Sequence, residues 1–95
     1  MKVPAVKDYP KVIYVRGDAY KLSFVKRLDC HGITDSGRKT IKIRAGMSAH
    51  ETFRTVIHEV LHAIEFTHPV RMKHETVYKL EQALFELILD NGLLG

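Results

Sequence analysis

The chain has 95 residues, 45% of them hydrophobic and 27% charged, with six glycines and three prolines. That is the composition of one globular core, and it excludes a disordered, collagen-like or coiled-coil chain. Fifteen Lys and Arg against eleven Asp and Glu leave a net charge of +4, and no apolar run approaches the ~18–20 residues of a membrane helix.

The opening segment, MKVPAVKDYP, lacks the apolar stretch of a secretory leader, and Cys30 is the only cysteine. Both features lead to the expectation of a cytoplasmic protein. Residues 11–16, KVIYVR, are β-branched and aromatic, and Gly17-Asp18 follows as a turn signal. Residues 20–26, YKLSFVK, place Tyr20, Leu22 and Phe24 on one face and polar residues on the other, so a hairpin is predicted. Residues 29–39, with Gly32, Asp35, Ser36 and Gly37, read as a loop. Residues 40–44, TIKIR, alternate again and predict a third strand.

Ser48-Ala-His-Glu51 is a capping box, and a helix is predicted from about 49 to 66. Phe53, Val56, Ile57, Val60, Leu61 and Ile64 recur along it at helical spacing. Pro69 marks a connection, and a second helix is predicted over 73–90, with Val77, Leu80, Leu84, Leu87 and Ile88 as its stripe and Asn91-Gly92 as its stop. The expected architecture is α+β: a single domain over residues 1–95, with a three-stranded, mostly antiparallel sheet packed on two helices. The pI near 9.3 permits an acidic partner. The densest basic group is only Arg38, Lys39, Lys42 and Arg44, which reads as a solvated surface rather than as a nucleic-acid footprint.

Residues 58–62 read His-Glu-Val-Leu-His. On a helix, positions i and i+4 lie one above the other, so two imidazoles there can share one Zn²⁺ at ~2.0–2.1 Å each. Glu59 lies about 100° round the helix from His58. It is placed to take a proton from a metal-held water rather than to ligate. The interleaved Val56, Ile57, Val60, Leu61 and Ile64 press this face towards a core, where an unpartnered imidazole is costly.

A catalytic zinc site takes three protein ligands and a water. Four residues are candidates for the third ligand. His68 stands six residues after His62, which resembles the metzincin spacing HExxHxxGxxH, but Glu65 stands where that pattern has its turn glycine, and Ala63, Ile64 and Phe66 favour continued helix. Glu81 lies beside the stripe of the second helix, Glu75 nearly opposite it, and His74 in its first turn. Tyr78, one turn after His74, is either an oxyanion donor or half-buried packing. Glu65 either orients a ligand imidazole or faces solvent. His50 belongs to the cap region, and Cys30-His31 is too small a set for a second metal.

The strand at 40–44, the capped helix with Thr55-Val-Ile-His-Glu-Val-Leu-His-Ala-Ile64 and the second amphipathic helix together resemble a small zincin. The pattern is similar to the compact HExxH metallopeptidase-like proteins of phages and mobile elements, and to SprT-like and ImmA/IrrE-like domains. The resemblance covers about residues 31–91. It implies a minimal zincin fold, with the third ligand on the second helix. In ImmA/IrrE-like domains that ligand, usually glutamate, precedes apolar residues at +3, +6 and +10. Val77, Leu80 and Leu84 match if the ligand is His74, which implies the metal set His58, His62 and His74 with Glu59 as the catalytic residue.

The expected function is therefore zinc-dependent hydrolysis of peptide bonds in a protein or peptide substrate. The strand at 40–44 is expected to pair with an extended substrate, as strands do in zincins. Two alternatives stand beside this: a binding or regulatory module in which zinc staples a small core, and a basic accessory protein acting near DNA-bound partners, as SprT-like proteins do.

Overall fold

The β-branched run and the alternating run after it form β1 (Val12–Val15) and β2 (Asp18–Val25), paired antiparallel with Val12 opposite Lys21 and Val15 opposite Asp18. The computed structural model, which describes residues 3–68 and 70–92, closes this hairpin with Arg16 (φ 50°) and Gly17 (φ 85°). Positive φ at both central positions is the two-residue turn whose twist matches the strands it joins. The turn thus begins one residue before the expected Gly17-Asp18 signal. Asp18 is instead a strand residue, and its carboxylate pairs with Lys39 Nζ at 3.0 Å.

The expectation of three strands is corrected to four. Residues within the segment read as a loop form β3 (Gly32–Asp35), which runs antiparallel to β4 (Thr40–Arg44). β4 also pairs with β2, in parallel, giving a mixed sheet in the order β1-β2-β4-β3. The α+β class is as expected. β3 escapes sequence reading because its two core-facing residues are Gly32 and Thr34, while its one large apolar residue, Ile33, faces solvent. With no apolar alternation, the strand exists only because β4 pairs with it. Asp35 Oδ1 then accepts the amides of Gly37 and Arg38 at 3.0 Å each, turning the chain back into β4.

α1 (Ala49–Thr67) starts where the capping residue predicts, with Ser48 Oγ accepting the Glu51 amide at 3.1 Å. Glu51 Oε1 lies 3.5 Å from the serine hydroxyl, so the glutamate closes the box on the side chain. α2 (His74–Asp90) ends at Asn91, whose backbone and side-chain amides both donate to the Leu87 carbonyl. Both helices lie within a residue or two of their predicted limits.

One face of α1 rests on the sheet, where Val56 and Ala63 join Val15, Tyr20, Leu22, Ile41 and Ile43 in a buried cluster. The adjoining face carries Phe53, Ile57 and Leu61 against Val77 of α2, with Leu84, Phe85 and Ile88 packed around them. α1 is therefore the middle layer, with the sheet on one side and α2 on the other. Burying a side chain such as Phe53 or Leu61 contributes about 1.5–3 kcal/mol. α2 has only Val77 and Glu81 buried, so its hold on the domain is the weaker one. No helix among the described residues is long and apolar enough to cross a membrane.

Candidate metal centre

His58 and His62 occur at i and i+4 on α1, so their rings stand together, with centroids 4.7 Å apart. They face each other through their Nε2 atoms, which are 3.1 Å apart. The other nitrogen of each ring is held by a carboxylate: His58 Nδ1 lies 2.8 Å from Glu81 Oε1, and His62 Nδ1 lies 2.9 Å from Glu65 Oε1. With each Nδ1–H donated to its carboxylate, a neutral ring carries its lone pair on Nε2. Two bare lone pairs converging at this distance repel, so the contact needs either a proton shared between the two Nε2 atoms or a cation beside them. Two nitrogens bound at ~2.0–2.1 Å to a tetrahedral ion are about 3.3–3.4 Å apart, close to the spacing found.

The third imidazole is that of His74, the first residue of α2. One ligand atom from each of His58, His62 and His74 can be chosen so that all lie within 4.8 Å of one another. The three histidines thus form a site able to hold a metal ion. α2 meets α1 through Val77, and His74 lies one turn before that contact, its ring centroid 6.1 Å from that of His58 and 5.7 Å from that of His62.

The other three candidates for third ligand stand outside the group of three histidines. Glu81 is buried, with Oε1 on His58 and Oε2 3.3 Å from Arg54 Nε, an ion pair rather than a well-aligned hydrogen bond. Glu75 is exposed and pairs with Lys79 at 3.0 Å. His68 caps the C-terminus of α1, its amide donating to the Ile64 carbonyl, and does not line the site. α1 continues through Glu65 as the helix formers at 63, 64 and 66 predict, so no sharp turn swings His68 back.

Glu59, between the two α1 histidines in sequence, is buried and points towards β3. The Thr34 hydroxyl lies 2.8 Å from Glu59 Oε1 and 2.9 Å from the Glu59 carbonyl oxygen. Gly32 is what makes room. A Cβ at that position would lie 2.9 Å from both Glu59 Cγ and Thr55 Cγ2. Glu59 and the three histidines line one open cavity of about 610 Å³, bounded opposite by Asp29, Cys30, His31 and Ile33. Arg44 pins that opposite wall, donating to the carbonyls of Leu28 at 3.0 Å and Asp29 at 2.8 Å.

Tyr78 lies one helical turn beyond His74, its ring 4.9 Å from His58 and 5.6 Å from His74. At 56% exposure it is a rim residue of the cavity rather than packing. Glu65 has the orienting role: besides holding His62, its Oε2 accepts the Met72 amide at 3.1 Å, which ties the connection before α2 to α1. His50 lies in the first turn of α1, edge-on to Phe85. Cys30 and His31 line the cavity but join no second group of three metal-ligating side chains among the described residues.

β4 is not the strand that can receive a substrate. It has β2 on one side and β3 on the other, so both of its edges are already paired. The free edge beside the cavity belongs to β3. Sequence reading missed Thr34 and Gly32 because neither carries a motif. It kept Glu81 as an alternative third ligand because position on a stripe does not reveal which neighbour claims a carboxylate.

Comparison with known proteins adds no relative: no protein-family model matches the chain, and neither a curated protein nor a solved structure does.

Proposed function

We propose that the protein is a zinc-dependent metallopeptidase that hydrolyses peptide bonds. The observation that carries the reading is the pair of Nε2 atoms at 3.1 Å, each ring fixed from behind by a carboxylate, with His74 closing the group. The donor set suits zinc, which takes imidazole nitrogen readily and whose histidine ligands commonly donate their second N–H to a carboxylate or carbonyl. His58, His62 and His74 would hold the ion. Zn²⁺, when bound, lowers the pKa of a water and polarises a carbonyl.

The remaining chemistry belongs to the chain. Thr34 holds Glu59 Oε1, which leaves Oε2 to take the proton of the attacking water and to hand it to the departing amine nitrogen. Burial of the carboxylate under β3 keeps it in one orientation. The phenol of Tyr78, on the rim, donates to the oxygen that gains charge as the carbonyl is attacked. An extended peptide pairs with the free edge of β3, in place of the expected strand at 40–44. Cys30, exposed and free, accords with a reducing cytoplasm as the compartment.

A second reading rests on α2, whose buried residues are only Val77 and Glu81. Zinc joining His74 to α1 would staple that helix, and the domain would be a binding or regulatory module without peptidase activity. Glu59→Gln separates the two. Glutamine has nearly the same shape but cannot accept the proton. Turnover of a susceptible protein or peptide should fall roughly 10²–10⁴-fold, with zinc content and melting temperature unchanged. Turnover indifferent to this change defeats the catalytic reading. A wild-type protein that cleaves nothing in a broad peptide and protein screen moves the weight to the staple.

A further inference from the structure

The charge of the chain is divided between its halves. Residues 1–47 carry eleven Lys and Arg against four Asp, whereas residues 48–95 carry four against seven Asp and Glu. The fold turns this division into two sides, because the first half is the sheet and the second the helices. Strand register then decides where the lysines go. Tyr20, Leu22, Ile41 and Ile43 face α1, so Lys21 on β2 and Lys42 on β4 face away from it, both exposed.

Neither Lys21 nor Lys42 has an ion-pair partner among the described residues. The one acid of this face, Asp35, has an oxygen engaged by two amides of its own turn. Ser23 lies opposite Lys42 and Thr40 opposite Lys21, so the surface between the lysines is small and polar. Tyr14, 73% exposed, and Ile33, 44% exposed, stand on the two outer strands.

Beside β2 this face runs into a groove of about 630 Å³. Val6, Lys7, Tyr9, Pro10 and Lys11 form its outer wall, Lys7, Lys11 and Lys21 supply the charge, and Phe24 borders it from the α1-facing side of β2, where it and Tyr9 pack against the core. The Tyr9 and Phe24 rings lie 5.6 Å apart, tilted by 52°. The Tyr9 hydroxyl is buried and has no hydrogen-bond partner among the described residues. Burial pushes this phenol up to about 12, so it stays a neutral donor at working pH.

We propose that the helix-free face of the sheet and its adjoining groove bind single-stranded nucleic acid. Phosphates are held by Lys7, Lys11, Lys21 and Lys42, a base enters the groove, and Tyr14, exposed on the helix-free face, offers the ring for stacking. Aromatic surface interleaved with unpaired cations is the combination that single strands require. Four strands at about 4.8 Å span roughly 15–19 Å, too wide for the ~12 Å major groove of a duplex. The groove is recessed, which suits a splayed base and not the flat surface of an anionic membrane. None of these residues belongs to the histidine site, so the proposal stands or falls independently of the peptidase reading.

The test is fluorescence anisotropy with a labelled 12-nucleotide single strand, its duplex, and vesicles of phosphatidylserine and phosphatidylcholine. The single strand should bind in preference to the duplex. The log–log salt slope should be about −2.8 if four phosphates are neutralised at about −0.7 each. Lys21→Glu with Lys42→Glu should weaken binding at least tenfold. Arg71→Glu with Lys79→Glu, on the helical side, should not, and circular dichroism should show both double variants folded. Tyr14→Ala should weaken binding about 5-fold or more. The proposal is overturned by any of four results: no saturable binding of the single strand at 50 mM salt and about 100 µM protein, equal affinity for the duplex, equal loss in both double variants, or binding to vesicles alone.

Discussion

Gly32 and Glu59 meet across the interface of β3 and α1 so closely that a methyl group on Gly32 would stand 2.9 Å from Glu59 Cγ and 3.1 Å from Glu59 Oε2. The side chain proposed to carry the proton is thus positioned by the absence of one from the strand. Gly32→Ala should displace Glu59 and cost about 1–3 kcal/mol of stability through overpacking. Because no ligand moves directly, zinc content should hold while turnover falls. If the variant retains wild-type turnover, the tight seat of Glu59 does not matter for catalysis. The melting temperature, measured in parallel, shows whether the packing was disturbed at all.

His62→Ala should remove one of the paired imidazoles and with it most of the metal. Mass spectrometry under non-denaturing conditions should find the variant without zinc. A metal that binds only the native state stabilises it by mass action, so the melting temperature should drop, and adding a chelator to the wild type should produce a similar drop. Unchanged zinc content in the variant would sink the site.

His74→Ala and His68→Ala make a matched pair. Both remove a histidine near the junction of the helices, but only His74 shares the ligand cluster. Titration should find zinc binding far weaker in His74→Ala and close to wild type in His68→Ala. The reverse order would place the third ligand at the end of α1.

Glu81→Gln tests the role of a carboxylate that holds His58 Nδ1 at 2.8 Å. The amide keeps an acceptor but gives up the charge that steadies the ring and raises its basicity. Zinc affinity should fall about tenfold, within the range found for partners of metal-bound histidines. A loss as complete as that of His62→Ala would make Glu81 a direct ligand.

The two helices, their caps and the i, i+4 histidine pair are local matters. Each depends on residues three or four apart, so Ser48, Glu51, His58 and His62 declare themselves in one dimension. The long alternating strands were legible for the same reason: Leu22 and Ile41 mark a face by their own neighbours. β3 was not legible, because Gly32 and Thr34 carry no apolar pattern. The strand exists through its hydrogen bonds to β4 and through the space it leaves for Glu59.

The choice among His68, His74, Glu75 and Glu81 was likewise beyond any spacing rule. Only the docking of Val77 into the Phe53–Ile57–Leu61 patch sets the register of α2 on α1. That register brings His74 to the paired histidines, Glu81 to the back of His58 and Glu75 to solvent. The dispersed lysines tell the same story, since Lys21 and Lys42 become neighbours only when β2 and β4 pair in parallel. Sequence therefore determined the elements and the two histidines within one of them. Tertiary structure decided which side chains from different elements share a site, because those distances are set by packing between segments far apart in the chain.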